Sequence, residues 1–150
     1  MLSATTERVL VNTPEHVNEQ IRRQTQANIT YYASRPQEIE QRLIELEREW
    51  DVERLIETES ASVILLGILL GAGAGRKWLL MSVFAAAMLI VHNLHGWYPL
   101  LPLLRRLGVR TQEEIAYERY QLKALRGDFR QVDQADGDAQ SRRAFEAAWH

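Results

Sequence analysis

Apolar residues are concentrated in one stretch of the chain, from residue 60 to residue 104, between two polar arms. Arg76 and Lys77 carry the only charges in this stretch and divide it into two runs, residues 60–75 and residues 78–104. As a helix, the first run reaches about 24 Å, and residues 78–95 of the second reach about 27 Å. Both lengths approach the hydrocarbon thickness of a bilayer, about 30 Å, so the pattern predicts two membrane-spanning helices.

The short link between the two runs constrains their arrangement. A helix that leaves the bilayer after residue 75 has to turn back through it, so the two helices are predicted to form an antiparallel hairpin. Basic residues flanking the outer ends outnumber those in the link, which favours a cytoplasmic location for both termini. The alternative is a buried helical hairpin in a soluble bundle, which needs more polar chain around it than the arms supply.

The predicted fold class is therefore an all-α membrane protein, a two-helix transmembrane hairpin with cytoplasmic helical arms at both ends. The chain divides into four parts: a helical arm of residues 1–59, the hairpin with an interfacial segment at 60–104, an amphipathic helix at 105–129 and a flexible tail at 130–150.

Residues typical of the membrane–water interface flank the second run: Trp78, Trp97, Tyr98, Arg105 and Arg106. Gly96 and Pro99 are expected to end the second helix at that level. Residues 100–104 are too short to cross the bilayer again, and we expect them to run along its surface.

The N-terminal arm is predicted to contain two helices. Thr13 and Pro14 are typical of an N-cap and the first helical position, and their helix should reach about Tyr32. A capping-box pattern at Ser34 opens the second helix, whose apolar positions form a seam: Ile39, Leu43, Leu46 and Trp50. Because residues 37–66 contain neither Gly nor Pro, this helix is expected to continue into the first span. The seam favours packing within the protein over recognition of another one.

The helix after the membrane segment has a recognisable start and end. Thr111 and Glu114 have the spacing of a capping box, so an amphipathic helix is predicted to begin there. Gly127 is predicted to end this helix as its C-cap.

Small residues recur at helical spacing in both spans. Gly67, Gly71 and Gly75 are four residues apart and predict one close-packing face, for which Ser82 and Ala86 supply a matching groove. This face serves either contact within the hairpin or a homodimer, and the sequence does not distinguish the two.

His92 and His95 are polar residues near the end of the second span, where polar side chains are costly. Their spacing of three predicts that both imidazoles share one helix face. The simplest interpretation is hydrogen bonding to backbone, to lipid phosphate or to Glu57 and Glu59. Haem or metal binding and proton handling are the alternatives, although no carboxylate or thiolate completes a metal-binding set.

Composition narrows the chemistry that this chain can perform. It has no cysteine, which excludes thiol nucleophiles, disulfides and thiolate metal sites. Its 18 basic and 20 acidic residues are nearly balanced, and no segment is basic enough to suggest nucleic-acid binding. No serine belongs to a recognisable catalytic motif, and the glycine-rich link lacks the phosphate-loop pattern. The sequence therefore predicts a non-enzymatic protein without a cofactor.

Three segments resemble a group of bacterial inner-membrane proteins: Gly96-Trp97-Tyr98-Pro99, residues 103–111 (LLRRLGVRT) and residues 122–129 (LKALRGDF). Within residues 48–129, the chain resembles the YgaP-like transmembrane domain family. The resemblance implies a two-span hairpin in the inner membrane and a tendency to dimerise. Relatives often have Cys where Tyr98 stands, and some are fused to a rhodanese domain; this chain has neither, so no sulfur chemistry is implied.

These observations predict a structural or accessory subunit of the bacterial inner membrane, which scaffolds or assists assembly through helix–helix contacts. Its expected partners are the lipid bilayer and either a second copy, as a homodimer, or a larger membrane protein complex. The alternatives are a haem- or metal-binding redox protein that uses His92 and His95, and a small oligomeric channel.

Overall fold

The computed structural model describes residues 5–130 and 141–145, and their regular secondary structure is entirely helical. The helices are α1 (Thr5–Val11), α2 (Glu15–Ala33), α3 (Ile39–Arg48), α4 (Val52–Gly73), α5 (Leu79–His95), α6 (Leu101–Arg106) and α7 (Gln112–Arg126). Single 3-10 turns, Pro36–Glu38 and Arg76–Trp78, precede α3 and α5, and residues 141–145 are also helical. The predicted all-α class is confirmed for this part of the chain. Most of the predicted flexible tail, residues 131–140 and 146–150, lies outside the described residues.

The chain folds into two compact units. The first contains α1, the start of α2, α4, α5, α6 and the first residues of α7. The second contains the rest of α2, α3 and the remainder of α7.

Both ends of α7 form as predicted. The backbone N–H of Thr111 donates to Glu114 Oε2 at 2.8 Å, and the N–H of Glu114 donates to Thr111 Oγ1 at 3.3 Å, which completes the capping box. At the other end, Gly127 has a φ of +92°. The N–H groups of Gly127 and Asp128 donate to the carbonyl of Lys123, so a left-handed glycine closes the helix.

The predicted continuous helix from residue 37 into the first span is wrong, because the chain breaks between α3 and α4. Glu49 is extended, with φ −67° and ψ 132°, and it ends α3. Asp51 is also extended, and its side chain accepts a hydrogen bond from the N–H of Arg54 at 2.7 Å. An aspartate that caps the next turn competes with helix continuation, and this local bond outweighs the absence of Gly and Pro. Trp50 consequently leaves the α3 seam and is exposed.

We expect Asp51→Ala to lower the free energy of unfolding by about 1 kcal/mol, because the N–H of Arg54 in the first turn of α4 loses its side-chain acceptor. Asp51→Asn keeps an acceptor oxygen at the same position and should retain most of the stability. Denaturant titration of both variants in detergent checks this; equal stability of the alanine and asparagine variants would contradict the capping role.

Two other predicted caps do not form, although their helices do. The hydroxyl of Ser34 donates to the carbonyl of Tyr31 at 2.9 Å, and the turn before α3 has no side-chain cap. The hydroxyl of Thr13 donates to the carbonyl of Val9 at 2.8 Å. Thr13 therefore closes α1, a helix that the sequence pattern did not predict, instead of opening α2.

The hydrophobic core of the first unit combines α1 with the start of α4 and the segment that follows α5: Val9, Val52, Ile56, Tyr98 and Leu101. Four partly buried side chains pack against it: Met88, Leu89, Leu104 and Val109. The N-terminal helix is thus an integral part of this core.

In the second unit, α3 buries Ile39, Leu43 and Leu46, so the predicted seam packs inside the protein. The same unit buries the carboxylate of Glu118 completely, and Arg42 Nε donates to it at 2.9 Å. A buried carboxylate is tolerated only when it is paired and hydrogen-bonded, and the Arg42 guanidinium satisfies that requirement.

The end of α7 carries a pH-sensitive ion pair. Arg126 donates to both carboxylate oxygens of Asp128, at 2.8 and 2.6 Å, and these hydrogen bonds hold the pKa of Asp128 below its usual value of 3.8. Because the folded pKa is lowered, the stabilisation is present above pH 3.8 and is lost as the pH falls through the folded pKa.

Arg126→Gln should therefore raise the pKa of Asp128 toward its usual value, as measured by carboxyl carbon shifts in an NMR titration. Arg130→Gln is the matched control, since Arg130 is a nearby exposed arginine that does not contribute to the lowered pKa of Asp128. An unchanged Asp128 pKa in the Arg126 variant would show that the pair is not the cause.

Candidate functional site

The site predicted from sequence is the pair of apolar helices, α4 and α5. Both are long and apolar enough to cross a membrane, judged by length and composition. They contact each other along their length, with Gly71 of α4 near Leu79 and Gly67 near Ser82. The hydroxyl of Ser82 donates to the carbonyl of Ile64 at 2.9 Å. Positions later in α5 thus meet positions earlier in α4.

The glycines explain how closely α4 and α5 approach. A Cβ built on Gly67 would lie 2.3 Å from the Ser82 hydroxyl and 3.0 Å from the Ser82 backbone nitrogen. A Cβ on Gly71 would lie 2.5 Å from a methyl group of Leu79. Both glycines therefore serve contact within the chain. Ala86, the other predicted groove residue, is half-buried.

Gly75 departs from the predicted glycine face. It lies beyond the end of α4, has a φ of +124°, and no atom of the residues that the structure describes lies within 4 Å of a Cβ built on it. Its role is to let the backbone turn into the link, because other residues rarely adopt such a positive φ.

The outward faces of α4 and α5 are apolar and exposed. On α4, Leu65 and Leu69 are 58% and 61% exposed; on α5, Leu80, Val83 and Phe84 are 71%, 64% and 61% exposed. Soluble monomeric proteins rarely expose a contiguous apolar surface of this kind. Such surfaces mark contact with lipid or with another protein.

Among the predicted interface residues, Trp78, Trp97 and Arg106 are exposed, as a membrane-interface role requires. Tyr98 is buried instead. Its hydroxyl donates to Glu59 and lies 2.9 Å from the hydroxyl of Ser60, which is also buried. Burial and the bond to the Glu59 carboxylate raise the pKa of Tyr98, so its hydroxyl stays protonated. Tyr98 therefore joins the end of α5 to the start of α4.

Arg105 also departs from its predicted place at the interface, since its side chain is fully buried. The guanidinium donates to both oxygens of Glu114, at 2.7 and 2.9 Å, and to Asn18 Oδ1 at 2.9 Å. It also donates to the carbonyl of Val109 at 3.0 Å. With a carboxylate, an amide and a carbonyl around it, Arg105 anchors α6 within the first unit.

His92 and His95 do not share one environment. His92 is 1% exposed, and its ring lies edge-on to Tyr98 with 6.1 Å between the ring centroids. His95 is exposed. Within the described residues, neither ring nitrogen of His92 has a hydrogen-bond partner, and Glu59, one predicted acceptor, bonds to Tyr98. Among residues 5–130 and 141–145, no three His, Asp or Glu side chains come together as a metal-binding group.

Two residues that the sequence did not single out lie against the end of α5. Arg8 of α1 donates to the carbonyl of Asn93, and Asn12, just after α1, donates to the carbonyl of His95, both at 2.8 Å. The last carbonyls of a helix have no partner within it, and these two side chains supply one. The one local sequence signal for α1 is Thr13, because the hydroxyl of a threonine can close the helix that precedes it.

No protein-family profile, curated protein or solved structure matches this chain. The resemblance to the YgaP-like transmembrane domain family therefore stays a prediction.

Proposed function

We propose that this chain is an integral membrane protein whose α4 and α5 form a transmembrane hairpin, and that it acts as a non-enzymatic structural or accessory subunit. The observation that supports this most directly is the exposed apolar surface on the outward faces of both helices, including Leu69 and Leu80. Burying such a surface in lipid is favourable by about 25 cal/mol per Å².

The polar groups of the pair are compatible with a lipid environment. Ser82 donates its proton to a backbone carbonyl of the facing helix, so its hydroxyl is satisfied inside the pair. The Tyr98 hydroxyl, just after the end of α5, bonds to Glu59 and to Ser60 in the first half of α4. The opposite end carries the charged link, with Arg76 and Lys77 exposed.

We further propose that both polar arms lie on the cytoplasmic side of a bacterial inner membrane. The balance of basic residues around the hairpin supports this orientation. The resemblance to inner-membrane proteins supports the choice of membrane.

Membrane insertion and orientation can be tested together, because the native chain has no cysteine. Single cysteines at Val11 in the N-terminal arm, at Phe145 in the C-terminal arm and at Ala74 in the link give exposed labelling positions. We expect the protein to stay with the membrane after alkaline extraction. In intact spheroplasts, an impermeant maleimide should label only the link cysteine; the arm cysteines should react only after lysis.

Three outcomes would contradict the proposal. Release of the chain into the supernatant at alkaline pH would exclude stable insertion. Labelling of the arm cysteines in intact spheroplasts would reverse the orientation, and labelling of one arm alone would exclude a two-span hairpin.

The accessory role rests on contact between the outward faces and another protein. Gly67 and Gly71 are already used within the chain, so an additional partner has to bind the outer positions. A photoreactive amino acid at Leu69 or Val83 should crosslink to a second copy or to another membrane protein. The matched control is Ala85, which is only 4% exposed. Crosslinks to lipid alone from every outer position would contradict a scaffold function.

The redox alternative has a separate readout. Purified protein that shows neither a haem absorption band nor bound transition metal would exclude a role for His92 and His95 as cofactor ligands. We expect this outcome, because one imidazole is buried and the other is exposed.

A further inference from the structure

The N-terminal helix α1 covers the carboxyl end of α5. Arg8 and Asn12 donate to the carbonyls of Asn93 and His95. A Cβ built on Gly96 would lie 2.6 Å from the carbonyl carbon of Arg8, so the backbone of α1 rests directly on the turn that ends α5. This docking is specific, because it combines two hydrogen bonds with a backbone contact that only glycine permits.

His92 is enclosed at the same end of α5. A neutral imidazole has one donor and one acceptor nitrogen, yet both ring nitrogens of His92 are buried without a hydrogen-bond partner in the part of the chain that the structure describes. Leaving buried polar atoms unsatisfied destabilises the docked arrangement, and the surrounding contacts have to offset that cost. The buried site therefore tolerates a neutral imidazole, and it provides no hydrogen-bond acceptor for a protonated imidazole.

Charged and titratable groups lie around His92 on α1, on α4 and in the turn after α5. From α1, Arg8 donates to the carbonyl of Asn93, the residue after His92, and so brings its positive charge to this end of α5. From the turn after α5, the Tyr98 ring stands edge-on to the imidazole. From α4, the Glu59 carboxylate accepts the hydroxyl proton of Tyr98, which also contacts Ser60. A buried charge without a paired acceptor is strongly disfavoured.

We propose that α1 is an acid-sensitive latch, in which protonation of His92 releases α1 from the end of α5. The docked state holds a neutral imidazole beside Arg8, and the released state lets the protonated ring reach water. Release also withdraws Val9 from the core that it forms with Val52, Ile56 and Leu101. An apolar surface next to the polar arms thus becomes available when the pH falls. The proposal concerns the first unit alone and does not require membrane insertion.

The sign and size of the effect follow from proton linkage. A free histidine has a pKa of about 6.5. As the pH falls below this value, a state whose imidazole binds a proton becomes more stable relative to a state that excludes the proton. Between pH 7.5 and pH 5, the released fraction is expected to rise by up to about 30-fold. Docking is fully stable above the usual histidine pKa and weakens as the pH falls below it.

The test uses the full chain in detergent micelles with a single cysteine at position 9 or position 11. Val9 is 0% exposed and Val11 is 85% exposed, so Val9→Cys reports release and Val11→Cys reports the intrinsic reactivity of a thiol at each pH. We expect the ratio of the two labelling rates to rise by more than tenfold between pH 7.5 and pH 5. Hydrogen exchange of the α1 amides, corrected for intrinsic pH dependence, gives the same information without changing the core.

Two histidine variants separate the latch from other titrations. His92→Gln removes the proton acceptor and should abolish the pH dependence of both readouts. His95→Gln removes the neighbouring exposed imidazole and should leave it unchanged. A constant rate ratio and constant exchange in the native chain would overturn the proposal, and so would a pH dependence that survives His92→Gln.

Discussion

Replacing Gly67 with leucine is expected to destabilise the packing of α4 against α5 by about 3 kcal/mol or more. The reason is geometric: a Cβ at this position would lie 3.0 Å from the backbone nitrogen of Ser82 and 3.1 Å from the carbonyl oxygen of Trp78. Backbone atoms of a helix cannot move aside as the end of a flexible side chain can. The remaining atoms of leucine would have to separate the two helices.

A series of alanine substitutions tests this explanation. Gly73→Ala meets nothing within 4 Å and should be neutral or slightly stabilising, since alanine is the better helix former. Gly71→Ala meets only the side chain of Leu79 at less than 3 Å, so repacking should limit its cost. Gly67→Ala should be the most damaging of the three. Unfolding in mixed detergent and SDS micelles, followed by circular dichroism, measures the order.

A second substitution, which removes part of the steric clash at Gly67, makes the test more specific. Ser82→Ala removes the hydroxyl that a Cβ on Gly67 would meet at 2.3 Å, but it leaves the backbone contacts in place. The double variant should therefore regain only part of the stability lost in Gly67→Ala, and the two changes should be non-additive. Equal stabilities across the glycine series, or independent effects of the two substitutions, would show that close approach of α4 and α5 does not control stability.

Local sequence patterns predicted the structure well where the interacting residues are close in the chain. The capping box of Thr111 and Glu114 and the glycine ends at Gly96 and Gly127 involve partners within a few residues. The apolar runs predicted the approximate positions of α4 and α5, because the composition of each run is enough to indicate an apolar helix. The break at Asp51 was missed because a side-chain cap competed successfully with an otherwise helical sequence.

Residues that depend on distant partners were not predictable in the same way. Tyr98 and Arg105 are residue types that are typical of the membrane interface, but their partners Glu59 and Asn18 are 39 and 87 positions away in the sequence. The short helix α1 has little periodicity to detect, and its contact from Arg8 to Asn93 spans 85 positions. Sequence spacing identifies which residues share a helix face; it does not identify what that face meets.

Replacing Arg105 with leucine is expected to cost about 3–5 kcal/mol of stability, the range for removing one partner of a buried ion pair. The guanidinium is fully buried, and its loss leaves the Glu114 carboxylate without its bidentate partner. It also leaves Asn18 Oδ1 and the carbonyl of Val109 without the donor that bonds to them. Because Glu114 belongs to the capping box of α7, the start of that helix should be weakened as well.

Arg106 provides the matched control, since it is the adjacent arginine on the same short helix and is exposed. Arg106→Leu should change the free energy of unfolding by less than about 0.5 kcal/mol, as expected for an exposed site without a structural partner. Comparing the two variants therefore separates anchoring within the protein, at Arg105, from the headgroup contact that we propose for Arg106.

Arg105→Lys distinguishes charge from geometry. A lysine retains the positive charge but cannot donate in parallel to both oxygens of Glu114 and still reach Asn18 and Val109. We therefore expect Arg105→Lys to lie between the native chain and Arg105→Leu in stability, while its association with membranes is unchanged. A contradicting result would be that Arg105→Leu unfolds at the same denaturant concentration as the native chain but detaches from membranes more readily. Arg105 would then act on lipid, and the buried network would contribute little to the stability of the fold.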